Sequence, residues 1–210
     1  MFAVSPDGTS PSVTRRLTGS AVTLHAPSSV LWSGRVAVSG RLVNPVGTGL
    51  AGRRIFLARR DAGTSGYDVA GSATTRADGG FTFAWEARRS ARWFVLYQGT
   101  ATEIGIRGSR HDLAVRQRVT AAAGSSPRAG QTLALSGTVR PTRDGTVQLQ
   151  RHAADGGWTT VARGTLRDGR WTLSWRVPGP RPTDLRVRVA GRPKAGLAVG
   201  LSRVLHLDPH

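Results

Sequence analysis

The chain has 210 residues and a formal net charge of +18, from 30 Lys+Arg against 12 Asp+Glu, with 27 Gly, 11 Pro and no cysteine. At 39% hydrophobic and 20% charged residues it is a folded, turn-rich composition, which excludes a low-hydrophobicity disordered chain. The missing cysteine excludes disulfides, thiolate nucleophiles and thiolate metal sites, and leaves the redox compartment unrecorded.

Met1 to Thr18 carries Pro6, Gly8, Pro11, Arg15 and Arg16 but no apolar core of signal-peptide length, and no run of ~18 apolar residues follows anywhere. Residues 1–20 are expected to be a flexible N-terminal segment, and a chain with no such signal is either intracellular as made or part of something longer. From Val22 onward the chain reads as short strands. Val36 to Val43, Arg53 to Arg59, Tyr67 to Thr75, Phe81 to Trp85, Ala91 to Tyr97 and Leu113 to Val119 follow Val22 to Leu24, each five to nine residues or shorter. Apolar residues alternate within them, as at Val36 and Val38, and turn signals separate them: Asn44-Pro45, Gly47 with Gly49, and Asp78-Gly79. No twelve-residue stretch has helical periodicity.

The pattern then repeats. Val36 to Leu42 (VAVSGRL) is echoed by Leu133 to Val139 (LALSGTV), Gly52 to Arg59 by Gly145 to Arg151, Tyr67 by Trp158, and Thr75 to Trp85 by Thr165 to Trp175, both with Asp-Gly ahead of the aromatic run. Strands of the second copy are expected near Thr120 to Ala122, Thr132 to Arg140, Thr146 to Arg151, Thr159 to Thr165, Arg170 to Trp175, Asp184 to Val189 and Arg203 to Leu207. A period of about 92 to 97 residues is that of a whole sandwich domain rather than a solenoid repeat. The fold class expected is all-β: two tandem immunoglobulin-like antiparallel sandwiches of about seven strands each, 21–118 and 119–210. The last strand of the first runs almost directly into the second near Val119, so an elongated rod is expected rather than a flexible pair.

Ser39-Gly40, Gly52 with Leu57, the Tyr67 or Trp158 position, Ala77-Asp78-Gly79 before Phe81 and Phe83, and the closing strand resemble the immunoglobulin-like repeat modules of secreted and surface proteins from high-GC Gram-positive bacteria. The first copy also resembles the transthyretin-like, carboxypeptidase-regulatory-like sandwich module. The resemblance covers about 190 residues. It implies a non-enzymatic structural or adhesion role outside the cell, as a spacer or stalk; its motifs are turns and core strands and carry no catalytic residue. The missing signal segment departs from it, which keeps a phage decoration or tail-fibre component open, and a carbohydrate-binding accessory module also remains.

Only Lys194 among the 30 basic residues is lysine, so the positive field is built of arginine. Such a field concentrates polyanions, here cell-wall or other anionic polymers, on the protein. GC-rich codon usage explains arginine in place of lysine, but not the shortage of acids. The candidates for polyanion contact are Arg186 and Arg188, which alternate with valine and so leave one sheet face; Arg116 and Arg118, which do the same; and Arg88, Arg89 and Arg92, crowded beside Trp93. Trp32 has no counterpart in the second copy and is the candidate exposed ring, whereas Trp85 and Trp175 occupy equivalent places and are expected in the cores. Asp78 and Asp168 are explained by turn geometry, so no metal is expected. His111-Asp112 is not accompanied by a Gly-x-Ser-x-Gly elbow, phosphate-loop and dinucleotide motifs are absent, and neither catalytic residue, cofactor, membrane span nor specific nucleic-acid recognition is expected.

Overall fold

The computed structural model describes residues 17–124 and 127–209. The expected flexibility of residues 1–16 therefore lies outside the described residues. Thr18 and Ser20, which the sequence reading placed in that flexible segment, are tied down: Thr18 accepts from Ile104 N–H at 2.8 Å and Ser20 Oγ donates to Ile104 O at 2.7 Å.

The fold is all-β. In the first half, β1 (Ala21–His25), β3 (Gly34–Val43) and β6 (Gly80–Ala87) form one antiparallel sheet. Facing it are β5 (Asp68–Thr74), β4 (Arg54–Asp61) and β7 (Ala91–Gly99); β7 then pairs with β8 (Ile104–Arg107) at one end and β9 (His111–Val119) at the other. The short β2 (Ser29–Leu31) lies parallel to β9. The second half repeats this plan. β10 (Ala122–Ala123), β11 (Thr132–Arg140) and β14 (Arg170–Arg176) face β13 (Trp158–Arg167), β12 (Gly145–His152) and β15 (Thr183–Val189), and β15 is flanked in succession by β16 (Ala198–Leu201) and β17 (Leu205–Leu207). Each half has the strand order of an immunoglobulin-type sandwich.

Three strands were not legible as such. β2 has three residues, while β8 (IGIR) and β16 (AVGL) are glycine-interrupted and lack a two-residue alternation. The Asp-Gly turns also differ between the copies. Asp168 (φ 48°) and Gly169 (φ 75°) close a two-residue hairpin between Arg167 and Arg170 as expected. Asp78-Gly79 instead lies in a wider turn that crosses between sheets, where Asp78 Oδ1 accepts from Gly80 N–H at 2.8 Å.

Inward residues form two clusters. Val36, Val38, Ile55, Phe81, Trp93 and Leu113 centre the first, and Leu135, Val139, Leu149, Trp171, Leu185 and Val187 the second. Trp175 is buried, and Trp85 is half-buried against the first cluster. The repeated Ser-Gly has a packing cause: Gly40 stands opposite Phe81 and Gly137 opposite Trp171, and each ring reaches into the space a Cβ would occupy.

β9 belongs to both halves. His111 to Leu113 pairs with β7, Ala114 to Arg116 with β2, Arg116 to Arg118 with β16 in parallel, and Arg118 to Val119 with β11. Its Gln117 is fully buried and fully bonded: Nε2 donates to Ala190 O at 2.7 Å, and Oε1 accepts from Thr142 Oγ1. From the second half, Leu197 packs into the first cluster, and Ser90 N–H donates to Gly196 O at 2.7 Å.

One ion pair is largely buried. Glu103, 9% exposed, is gripped by Arg53 through Nε at 2.8 Å and Nη2 at 2.6 Å and also accepts from the Tyr97 hydroxyl, which pins the turn between β7 and β8. The Arg53 hydrogen bonds hold the Glu103 carboxyl below its usual range, against the opposing effect of burial; burial first, and the bond to Glu103 second, push the Tyr97 phenol up. A carboxylate with a depressed folded pKa stabilises the protein above its unfolded value, about 4.3, and that contribution is lost as pH falls through the folded pKa. Glu103→Gln should therefore lose less stability than the wild type between about pH 6 and pH 3, read from urea midpoints at each pH. An identical acid limb in both proteins would contradict this role.

Candidate polyanion-binding face

The outward face of the second sandwich is set by strand alternation. In β15, Leu185, Val187 and Val189 are buried, which sends Arg186 and Arg188 outward; in β9, Val115, Gln117 and Val119 are buried, which sends Arg116 and Arg118 outward. The ladders bring these positions level. Arg163 of β13 pairs with Gln148 of β12, Gln148 with Arg188, Arg188 with Leu201 of β16, Leu201 with Arg118, and Arg118 with Arg140 of β11. Four strand steps of ~4.8 Å carry the row about 19 Å from Arg163 to Arg118, and a fifth, onto β11, brings in Arg140.

The row keeps its charge. Six acids are engaged elsewhere: Glu103 by Arg53, Asp61 by Arg59, Glu86 by Arg88, Asp112 by Arg92, Asp168 by Arg143 and Asp184 by His206. Among the described residues no carboxylate forms an ion pair with Arg116, Arg118, Arg140, Arg163, Arg186 or Arg188. Neutral acceptors brace them instead. Arg188 Nη1 donates to Gln148 Oε1 at 3.0 Å, Arg186 Nε to Gln150 Oε1 at 3.0 Å, and Arg118 Nη2 to Trp32 O at 3.3 Å. Each guanidinium is thus oriented while most of its donors remain unspent. Burial first, and neighbouring Arg188 second, lower the Arg186 pKa, the direction expected of cations crowded without a counter-ion.

Arg118 and Arg140 are directly opposed like charges on one ladder, an arrangement that costs stability. Arg140→Glu should therefore stabilise the fold by a few tenths of a kcal/mol, about 0.5, in chemical denaturation, while weakening retention on a polyanion. A destabilised Arg140→Glu would mean that the arginine is needed for packing.

The seven arginines singled out from sequence do not form one site. Arg116, Arg118, Arg186 and Arg188 share the face just described. Arg88 and Arg92 lie in the first half and are held by Glu86 at 3.0 Å and Asp112 at 2.7 Å, and Arg89 packs near Gly196 at the junction. Arg140 and Arg163 were missed, because only the ladder register places them level with Arg118 and Arg188; the alternation of Val139 with Arg140 was the available signal.

The aromatic expectation needs correction. Trp32, the candidate exposed ring, is half-buried and packs against the first core, and Trp93 is 1% exposed, so the two do not make a platform for sugar rings. Trp158 is half-buried, with Arg186 over its ring at 4.0 Å. His111 stacks on Trp93 at 4.7 Å while Asp112 pairs with Arg92, so these neighbours turn to opposite faces. A cleft of about 660 Å³ at the end of the second sandwich is lined by Arg151, Pro178, Pro180, Pro182, Asp184 and His206, and its His206 Nδ1 lies 2.8 Å from Asp184. No helix among the described residues is long and apolar enough to cross a membrane.

No family model matches the chain, and no curated protein does. Among solved structures it is similar to Salmonella alpha-2-macroglobulin reacted with methylamine, at 14% identity over 91% of this chain and 16% of that one, with a TM-score of 0.39. It is also similar to the C-terminal 282-residue fragment of intimin in complex with the intimin-binding domain of the translocated intimin receptor, at 9% identity over 90% of this chain and 64% of that one, with a TM-score of 0.40. The chain thus spans a small part of the macroglobulin and under two thirds of the intimin fragment, and neither score is high enough to carry an argument.

Proposed function

We propose that this is a non-catalytic module of the cell exterior, in which two sandwiches joined through a common strand serve as a rigid spacer or stalk and touch anionic surface polymers through the arginine face of the second. The observation that carries the reading is the row Arg163, Arg188, Arg118 and Arg140, in which neutral acceptors orient Arg188 and Arg118 and no carboxylate among the described residues pairs with any of the four. A structural surface of mixed charge gains nothing from that segregation, whereas a polyanion does. The junction supports the spacer half of the reading: bending at Gln117 would break a strand paired on both sides and unseat Leu197.

The test is retention of the purified protein on bacterial cell wall, heparin and DNA across a salt series, beside a variant with Arg116, Arg118, Arg186 and Arg188 reversed to glutamate. Retention of at least one polymer at ~0.15 M salt, lost in the variant, is the expected result. Elution of all polymers together at low salt, or equal retention of both proteins, would overturn it.

A further inference from the structure

The two halves guard their sheet edges differently. β5 is the last strand of its sheet: it pairs with β4 on one side and, among the described residues, with no strand on the other. Asp68, Val69, Ala70, Ser72 and Thr74 are exposed along it, and Val69 to Thr74 (VAGSAT) holds no arginine, lysine or proline in a chain of net charge +18. Positive charge, proline or a covering strand is what keeps an edge from pairing with another chain. The equivalent strand of the second half has two of these: β13 carries Arg163 and Arg167, and its end pairs with β14. The arginines nearest β5 are drawn back from it. Arg54 lies 5.2 Å from the centroid of the Phe56 ring, Arg60 lies 5.3 Å from that of Tyr67, which itself packs on Phe94 of β7, and Arg59 pairs with Asp61 at 3.0 Å. The sheet face beside the edge differs in the same sense. Phe56 stands level with Leu96 and Ala58 with Phe94, in the places that Gln148 with Arg188 and Gln150 with Arg186 hold in the second half.

We propose that a second copy of this chain occupies the β5 edge, the two β5 strands pairing antiparallel about a two-fold axis so that the two sheets become one. Strand addition of this kind draws its affinity from main-chain hydrogen bonds, which a neutral strand supplies as well as a charged one. The pairing is isologous and uses up both β5 edges, so assembly through them stops at a dimer. Charge argues for a copy rather than an acidic partner. An acidic segment gains nothing from a neutral strand in a chain that offers arginine elsewhere, whereas two neutral strands meet without like charges opposed. The antiparallel direction also sets the two Asp68 carboxylates at opposite ends of the seam, and Val69, 67% exposed, gains cover beside it. The bodies of the two molecules still repel at +18 each, so salt strengthens this contact, the reverse of its effect on polyanion capture.

The experiment is sedimentation equilibrium of the full chain, with no polymer present, at ~0.1 M and ~0.5 M salt. A monomer–dimer equilibrium is expected, with a Kd of roughly 10–100 µM at the higher salt and several-fold weaker at the lower. Ser72→Arg puts a charge at an exposed position of the edge and should weaken the dimer about tenfold or more. Thr165→Arg adds the same charge to β13 and should change little, and Ser72→Val, which leaves the edge neutral, should dimerise at least as well as the wild type. Equal urea midpoints for Ser72→Arg and the wild type, each as monomer, show that pairing rather than folding is lost. A protein that stays monomeric at both salts overturns the proposal. So does a dimer that Ser72→Arg weakens no more than Thr165→Arg or Ser72→Val does.

Discussion

Gly137→Ala should destabilise the protein by roughly 3 kcal/mol or more, at or above the upper end of ordinary overpacking. A Cβ on Gly137 would lie 2.0 Å from the Thr120 carbonyl oxygen and 2.7 Å from Trp171 Cζ2. Neither neighbour can yield. Thr120 N–H is bonded to Thr138 O at 2.9 Å, and Trp171, 2% exposed, fills the second core. Gly40 stands in the same relation to the Thr23 carbonyl (2.4 Å) and the Phe81 ring (2.5 Å), so Gly40→Ala should injure the first core in the same way. Replacing Trp171 by Val beside Gly137→Ala would relieve the ring but not the carbonyl, and should recover none of the lost stability once its own cavity is counted. Urea denaturation decides this, and a loss below about 1 kcal/mol for Gly137→Ala would mean the strands can part at no cost.

Leu197→Ala should cost about 2–4 kcal/mol, as for other buried leucines, and should act across the junction. Leu197 follows the turn Pro193–Ala195 in the second half, yet its side chain packs in the first cluster. The expected signature is faster amide exchange at both ends of β9 and in β7, beyond the loop that carries the substitution. Gly200→Val attacks the same seam from the other side, since a Cβ there would lie 2.7 Å from Val119 Cγ2 and 2.8 Å from Gln117 Cβ. If exchange in the first half were unchanged in both variants, the halves would be independent bodies and the rigid-spacer reading would fail.

Much of this architecture could be read from residue order, because a half-buried strand writes its two faces directly into the sequence. Thr132 to Arg140 was placed to the residue, and the equivalence of Gly40 with Gly137 was visible before the aromatic rings opposite them explained it. What escaped has a common physical cause. β2 and β16 are held by neighbours distant in the chain and β8 by the strand before it rather than by their own pattern, and Gln117 looks like one more polar residue between arginines until the second sandwich closes over it. The site was half legible for the same reason: Arg186 with Arg188 and Arg116 with Arg118 follow from local alternation, whereas the row that joins them to Arg140 and Arg163 exists only in the register between strands. Trp32 misled because lacking a counterpart in the repeat says nothing about burial, and here it sits against the first core.

The most direct measurement matches charge against position. One variant converts Arg118, Arg140, Arg163 and Arg188 to glutamine, and another converts Arg76, Arg88, Arg143 and Arg170, so that both lose four charges from a net +18. The affinity of each for one immobilised acidic polymer is then followed against salt concentration. Binding should survive in the second variant with a slightly reduced affinity, and in the first fall by a hundredfold or so with a salt slope about 3 shallower, the loss of four contacts on a single-stranded polyanion. Equal losses in the two variants would show that net charge alone does the binding and would contradict a built arginine face.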